Sequence, residues 1–423
     1  MIVKSLKEDA FRIIEDSISS VLPEKAVLEE LKKLDLGDKI YLVAIGKAAW
    51  RMARSAKDHL KGRIKGGVVI TKYGHSQGPI DGLEVCEAGH PIPDENTINA
   101  TKKAVNLVQN LSKDDTVLFL VSGGGSALFE LPVEGVSLED IKNVTDMLLR
   151  CGANIVEINA IRKRLSQVKG GKFAQLVLPA KVYSLVLSDV LGDRLDSIAS
   201  GPAYPDSTTV GDVEKIIKKY DLELPDNILE KLKEETPKRL YNVETRIIGS
   251  VSKVCESAEK IARKLGYDSL ILTTTLDCEA KEAGLFLASI AREEIDKNRP
   301  LKNPCAIILG GETIVRVKGK GKGGRNQELV LSAARGIRNY PGVVIVSVGT
   351  DGTDGPTDAA GGIVDGQTAI MLEEAGIDID DALDDNDSYH ALQAVGSLIK
   401  TGPTGTNVND LIFILCGGAE LHS

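Results

Sequence analysis

Apolar residues along this chain fall into short unbroken runs separated by amphipathic stretches. KIYLVAI (39–45), GGVVIT (66–71), LEVCEA (83–88), TVLFLVS (116–122) and KVYSLVLS (181–188) predict strands, most of them buried on both faces. Segments with helical spacing lie between several of them. One begins at Ser137, where SLED forms a capping box, and places Ile141, Val144, Met147 and Leu148 on one face. Strands alternating with helices predict an α/β fold with a doubly wound parallel sheet. From about 203 to 244 charge and prolines replace the strand signal, so a domain boundary is expected there, dividing the chain into 1–240 and 241–423. Strand signals resume at TRIIG (245–249), SLILTT (269–274), CAIILGG (305–311), TIVRV (313–317), GVVIVSV (342–348) and LIFILC (411–416). Gly310 and Gly311, between two apolar runs, predict a hairpin, and with it a mixed sheet in an α/β second domain.

Length supports that division, because 423 residues exceed what one ordinary core serves. A hydrophobic content of 42% fits a globular chain and argues against disorder. No apolar run reaches the ~18 residues of a membrane span. The N-terminal stretch MIVKSLKEDAFRIIEDSISSVL is charged and helical in spacing, unlike a signal peptide. A net charge of −9 offers no basic footprint for nucleic acid, so anionic substrates would need positive charge gathered locally. The six cysteines are scattered without a Cys-x-x-Cys pair, which reads as reduced thiols in a cytoplasmic protein. Zinc is not expected, since no histidines stand at ligand spacing.

The candidate chemistry sits on loops that follow strands, where α/β sheets bind ligands. In IGKAAWRMA (45–53) Gly46 turns the chain and Lys47 stands near a helix start, a place for a cation only if an anion binds beside it. In LVSGGGSALFE (120–130) the run Ser122, Gly123, Gly124, Gly125, Ser126 offers backbone amides and two hydroxyls to a phosphate or carboxylate. In LSDVLGDRLDSIASGP (187–202) Asp189 and Asp193 suit Mg²⁺, which takes one or two carboxylates. VKGKGKGGRNQELVLSAARG (317–336) supplies local positive charge and Arg325 at a helix start. Gly319, Gly321 and Gly324 formally satisfy a dinucleotide fingerprint, but Asp351 lies 27 residues beyond Gly324, against an expected ~20. VGTDGTDGPTDAAG (348–361) carries Asp351, Asp354 and Asp358, read as metal ligands or a base, with pairing to Arg325 or a lysine and an Asp/Gly turn as alternatives. TGPTGTNVND (401–410) adds a further Gly/Thr-rich loop. His90, in AGHPIPDENT (88–97), reads as structural, and Arg162, Lys163, Arg164 and Lys169 read as a solvated helix face, with the lining of an anion site as the alternative.

GKAAWRM, GHPIPDENT, SGGGSAL, SDVLGDRLDSIASGP, GGRNQE, GTDGTDGPTDAAG and TGPTGTNVNDL, in this order and across nearly the whole chain, resemble the class II glycerate kinases. These are two-domain enzymes whose C-terminal part is called the MOFRL domain. The resemblance implies a Rossmann-like N-terminal domain, an active site in the cleft between domains, and ATP-dependent phosphorylation of D-glycerate with Mg²⁺, usually at the 2-hydroxyl. It places Lys47 and Arg325 at positions that contact substrate or phosphate. Phosphoryl transfer needs positioning and charge neutralisation more than covalent chemistry. Accordingly Ser122 to Ser126, with Asn326 and Asn407, are expected to bind nucleotide or glycerate, Asp189 or Asp193 to hold Mg²⁺, and Asp351 to accept the hydroxyl proton. Hydroxypyruvate reduction with NAD(P)H is the alternative, because some relatives carry that label. No nucleic-acid or membrane partner is expected, and a homo-oligomer is compatible with the sequence.

Overall fold

The computed structural model describes residues 6–417. They form two compact units, one of Pro23–Ile248 and one of residues 6–22 with residues 249–417.

The unit Pro23–Ile248 is built on a six-stranded sheet of β1 (Ile40–Ile45), β2 (Ile64–Lys72), β3 (Glu84–Ala88), β4 (Thr116–Val121), β5 (Lys181–Leu187) and β6 (Val243–Gly249). Its order is β3-β2-β1-β4-β5-β6, and β3 through β5 pair in parallel. Alternate residues of each strand enter separate cores. Val43, Ile45, Val117, Phe119 and Val121 pack with Phe129 and Phe173 on one face, while Leu42, Ala44, Leu118 and Leu120 pack with Met52, Ala53 and Ala56 on the other. Phe119 and Phe173 stack with ring centroids 4.8 Å apart, and each fully buried ring is worth about 2–3 kcal/mol. The expected capping box is present, with Ser137 and Asp140 bonding reciprocally at the start of helix Leu138–Arg150.

Segment 203–244 is folded into the first unit. Its helices Val210–Lys219 and Asp226–Leu232 bury Val213, Ile216, Ile228 and Leu232 against Ile141, Val144 and Leu148. The compact units therefore depart from a division at 240 in two ways. TRIIG closes the first sheet as β6. The N-terminal helix Leu6–Ser20 belongs with the later residues, because Ala10, Ile13, Ile14 and Ile18 form an apolar face that packs on helix Val251–Leu265. Asp9 on that helix accepts a hydrogen bond from Tyr267 at 2.8 Å.

The second unit carries a mixed sheet in the order β11-β10-β9-β12-β8-β7, with β7 Asp268–Leu276, β8 Cys305–Gly311, β9 Val343–Gly349, β10 Gly361–Asp365, β11 Leu398–Ile399 and β12 Asp410–Cys416. The central β12 runs antiparallel to both β8 and β9, and β7 pairs in parallel with β8. The hairpin expected at Gly310 and Gly311 is absent. Both glycines stay inside β8, where Val251, Cys255 and Leu276 leave no room for a Cβ. TIVRV makes one isolated bridge, Ile314 to Glu279, and exposes Ile314 (51%) and Val317 (77%). An apolar run without a neighbouring strand has no sheet to join.

Candidate active site

In the first unit the strand order reverses direction between β1 and β4, which are neighbours. A ligand crevice forms where the connections from adjacent strands diverge. The two loops at that point are Gly46–Ala48 and Ser122–Gly125, and they are laced together. Lys47 N–H donates to the Gly123 carbonyl at 2.8 Å, and Ala48 N–H to Ser122 Oγ at 3.1 Å. Gly46 adopts φ +111°, and Ser122 occupies the space of any Cβ there, so only glycine fits. Lys47 and the Ser122–Ser126 run thus come together as expected. The amides of Ser122 and Gly125 are spent within the turn, on Ile45 and Ser122 carbonyls. Any anion-binding capacity of the backbone rests with Gly123, Gly124 and Ser126.

Segment 187–202 wraps the same loop. Asp189 packs against Gly123 and Ala199 against Gly125, each filling the space of a missing Cβ. Ser126 Oγ lies 3.1 Å from Ser200 Oγ, which donates to Asn159 at 3.0 Å. Ala199 and Ser200 hold φ of +51° and +60°, a left-handed conformation costing about 1–2 kcal/mol per residue. Asp193 also holds positive φ, and its Oδ1 is enclosed with no donor among the described residues. An enclosed acceptor oxygen without a donor fits a divalent cation. Among the described residues no three His, Cys, Asp or Glu side chains gather at metal-binding distance, so substrate oxygens and water would complete such a shell.

The basic run 162–169 is not the solvated face its charges suggest. Lys163, Arg164 and Lys169 are buried. Lys163 pairs with Asp206 at 3.1 Å, and Arg164 with Thr208 and Glu235. Lys169 donates to the carbonyls of Ser126 (2.7 Å) and Phe129 (2.9 Å) and faces Glu130 at 3.4 Å, while Arg162 donates to Ser126 at 3.2 Å. Burial pulls the Lys169 ammonium down to about 8, with Glu130 opposing. Arg162 and Lys169 thus hold the backbone of the glycine loop at Ser126.

In the second unit the fingerprint glycines do not face a pyrophosphate. The amides of Gly319, Lys320, Gly321 and Lys322 donate to Asn386, Asp385 and Asp387 at 2.8–3.0 Å. Arg325 opens helix Arg325–Gly336. The register pairs Asp410 of β12 with Gly311 of β8, which brings Asp410 and Glu312 to one place. Arg325 donates from Nε and Nη2 to the two oxygens of Asp410 at 2.6 and 3.1 Å, and from Nη1 to Glu312 at 2.7 Å. These bonds engage three of the five guanidinium N–H donors. Asp410 is 1% exposed. Burial pushes its carboxyl up to about 6, with Arg325 opposing. Below about 6 it is therefore neutral and loses its charge-assisted hold on the guanidinium. We expect kcat/KM to fall as pH drops through about 6. A pH profile of Asp410→Asn, lower throughout, should lack that limb.

The three aspartates after β9 do not share one task. Asp354 caps helix Arg325–Gly336, accepting from the Asn326 and Gln327 amides at 3.1 and 2.9 Å and from both their side chains. Asp358 sits at the surface with Tyr389 (2.7 Å) and Lys400 (2.8 Å). Asp351 alone stays half-buried with a local turn bond, to Thr353 N–H at 2.9 Å. The expectation that all three serve metal and base is corrected to Asp351 as the candidate base. Asn326 is enclosed, its side chain engaged by Asp354 and Ser347. Asn407 is exposed, and its Oδ1 accepts from Asn409 N–H at 3.3 Å.

Residues 9–233 match the family model described as a domain of unknown function, DUF4147, and residues 305–410 match that of the MOFRL family. The chain is 59% identical to the D-glycerate 2-kinase of Thermotoga maritima over 97% of its own length and 98% of that protein's. The chain belongs to the glycerate 2-kinase family. It is 44% identical to the glycerate 2-kinase of Pyrococcus horikoshii over 98% of each chain. It superposes on the crystal structure of Thermotoga maritima glycerate kinase with a TM-score of 0.95, covering 97% of this chain and 99% of the other. A protein of Agrobacterium vitis with a hydroxypyruvate reductase label is 40% identical over 96% of the chain. For this glycerate 2-kinase family member, the residues that sequence reading passed over are Glu130, Ser200, Glu312 and the acid Asp410. Glu312 and Asp410 stand directly after and at the start of apolar strands, which is the one signal they carried.

Proposed function

We propose that this chain phosphorylates D-glycerate at the 2-hydroxyl with ATP, giving 2-phosphoglycerate and ADP. Its nearly full-length likeness to D-glycerate 2-kinase carries the reading. The joined loops after β1 and β4 suit the nucleotide phosphates, with Lys47 supplying charge. Arg325 keeps two N–H donors beyond those bound to Asp410 and Glu312. Its rigid fork suits a glycerate carboxylate or the transferring phosphoryl group. The 2-hydroxyl oxygen attacks the γ-phosphorus, the bond to the bridging oxygen breaks, and Asp351 takes the proton. Asp189 and Asp193 would hold Mg²⁺, which neutralises phosphate charge when bound. Asn326 supports the loop from within, and Asn407 is open to substrate.

The occupied amides of Gly319 to Lys322 weigh against the reductase reading. We place the protein in the cytoplasm. Its cysteines are free and no described helix is long and apolar enough to cross a membrane. The deciding experiment is ADP release with D-glycerate, ATP and Mg²⁺, followed by phosphorus NMR. Glycerate-dependent ADP and a 2-phosphoglycerate resonance are expected. Absence of ADP release from folded protein, with NADH oxidation by hydroxypyruvate, would reverse the assignment.

A further inference from the structure

We propose that His90 is a further phosphate-binding residue, its Nε2–H donating to a nucleotide phosphate oxygen held at Gly123–Ser126. The inference rests on the phosphate reading of that loop.

Three observations converge on this side chain. The first is position. A Cβ on Gly124 would lie 2.9 Å from His90 Cδ2, 3.0 Å from Nε2 and 3.3 Å from Lys47 Cγ. The Nε2 edge of the ring and the stem of Lys47 therefore flank the same glycine, at φ +85°.

The second is the state of the ring. Nδ1 is enclosed and has no hydrogen-bond partner among the described residues. An enclosed nitrogen without an acceptor is cheaper as a lone pair than as an N–H. That places the proton of the neutral ring on Nε2, at the edge against Gly124. Burial and then the nearby charges of Lys47, Lys72 and His75 hold the ring below the usual histidine range; a contact with its own backbone opposes the shift but falls outside hydrogen-bond geometry.

The third is the surrounding charge. Among the described residues neither Lys47 nor Lys72 has an ion pair, and His75 faces the Lys47 carbonyl at 3.2 Å. Two lysines without ion pairs among the described residues and a neutral donor outnumber the Asp189 carboxylate beside Gly123, a setting for several negative charges that favours polyphosphate over the single charge of glycerate.

The test compares His90→Phe, which keeps a ring without a donor, with His90→Gln, whose amide nitrogen reaches the place of Nε2. Lys47→Met is run in parallel. Each variant is first checked by thermal melting. A hydrogen bond to a charged group is worth enough that its loss should raise KM for ATP and Kd for ADP by about tenfold. KM for glycerate should stay within about twofold, and His90→Gln should recover most of the loss. Calorimetry with ADP reads binding without turnover. Unchanged ADP binding in His90→Phe, with weakened binding in Lys47→Met, removes His90 and leaves the loop assignment standing. Unchanged binding in both removes the phosphate reading itself. A rise confined to glycerate KM overturns the nucleotide assignment. Should His90→Phe fail to fold, nitrogen NMR of the parent protein decides. The Nε2–H tautomer with a resonance moved by ADP supports the proposal, and the Nδ1–H tautomer overturns it.

Discussion

Arg325→Ala is expected to lower kcat by about 10³-fold or more, the usual loss when an arginine that stabilises phosphoryl-transfer charge is removed. The geometry makes the arginine's role specific. Its fork is locked on one side by both oxygens of Asp410 and braced by Glu312, so the remaining donors point in a fixed direction at no further entropic cost. Arg325→Lys keeps the charge but cannot span Asp410 bidentately, and should recover little of the rate. The deletion has a second consequence, because Asp410 is 1% exposed and loses its partner. A buried acid left unpaired costs about 3–5 kcal/mol, much of which returns when the acid is removed too. The double variant Arg325→Ala with Asp410→Asn therefore separates the effects. It should regain stability in denaturant unfolding while staying as slow as the single variant. A folded Arg325→Ala enzyme with near-normal kcat would take this residue out of the chemistry.

Asp354→Ala is expected to cost about 4 kcal/mol of stability, combining a lost helix cap with buried donors left unsatisfied. Asp354 is 3% exposed and receives four N–H donors, two from backbone and two from the side chains of Asn326 and Gln327. Burial raises its carboxyl above the usual range, and those donors oppose the rise. Gly324 is held to glycine by the same carboxylate, which fills the space of its Cβ. Removing the acid frees the first turn of the helix that carries Arg325, so activity falls along with stability. Asp351→Ala is the contrast. It gives up one local turn bond, so the unfolding midpoint should hardly move while kcat drops. Equal destabilisation by the two variants would contradict this division of labour.

Much of the architecture was legible because its central strands are almost wholly apolar and buried. KIYLVAI, TVLFLVS, CAIILGG and LIFILC lie within a residue or two of β1, β4, β8 and β12. β10 escaped notice because it begins Gly361–Gly362, with no apolar run to mark it, and β11 is two residues long. TIVRV misled for the opposite reason, having strand chemistry but no strand beside it. The Lys47 and Ser122–Ser126 loops were each legible because both leave buried strands. What could not be read was pairing over distance. Lys163 meets an acid 43 residues away and Arg164 one 71 residues away. Without those partners a basic helix looks solvated. The same holds for Asp354, whose donors lie 27 and 28 residues earlier, and for Asp358, whose partners lie 31 and 42 residues later.

The discontinuous second unit sets an order of events on the ribosome. Helix Leu6–Ser20 is made before Pro23–Ile248, yet its apolar partner, helix Val251–Leu265, is made after the whole of it. At synthesis rates of 5–20 residues per second, the apolar face of that first helix waits on the order of ten to fifty seconds for a surface to cover it. Meanwhile the intervening residues have every strand of their own sheet in hand and can close it. The nascent chain thus completes its middle before its beginning. A chaperone that shields amphipathic N-terminal helices would act during that interval, and shortening the first helix would penalise the late-made unit.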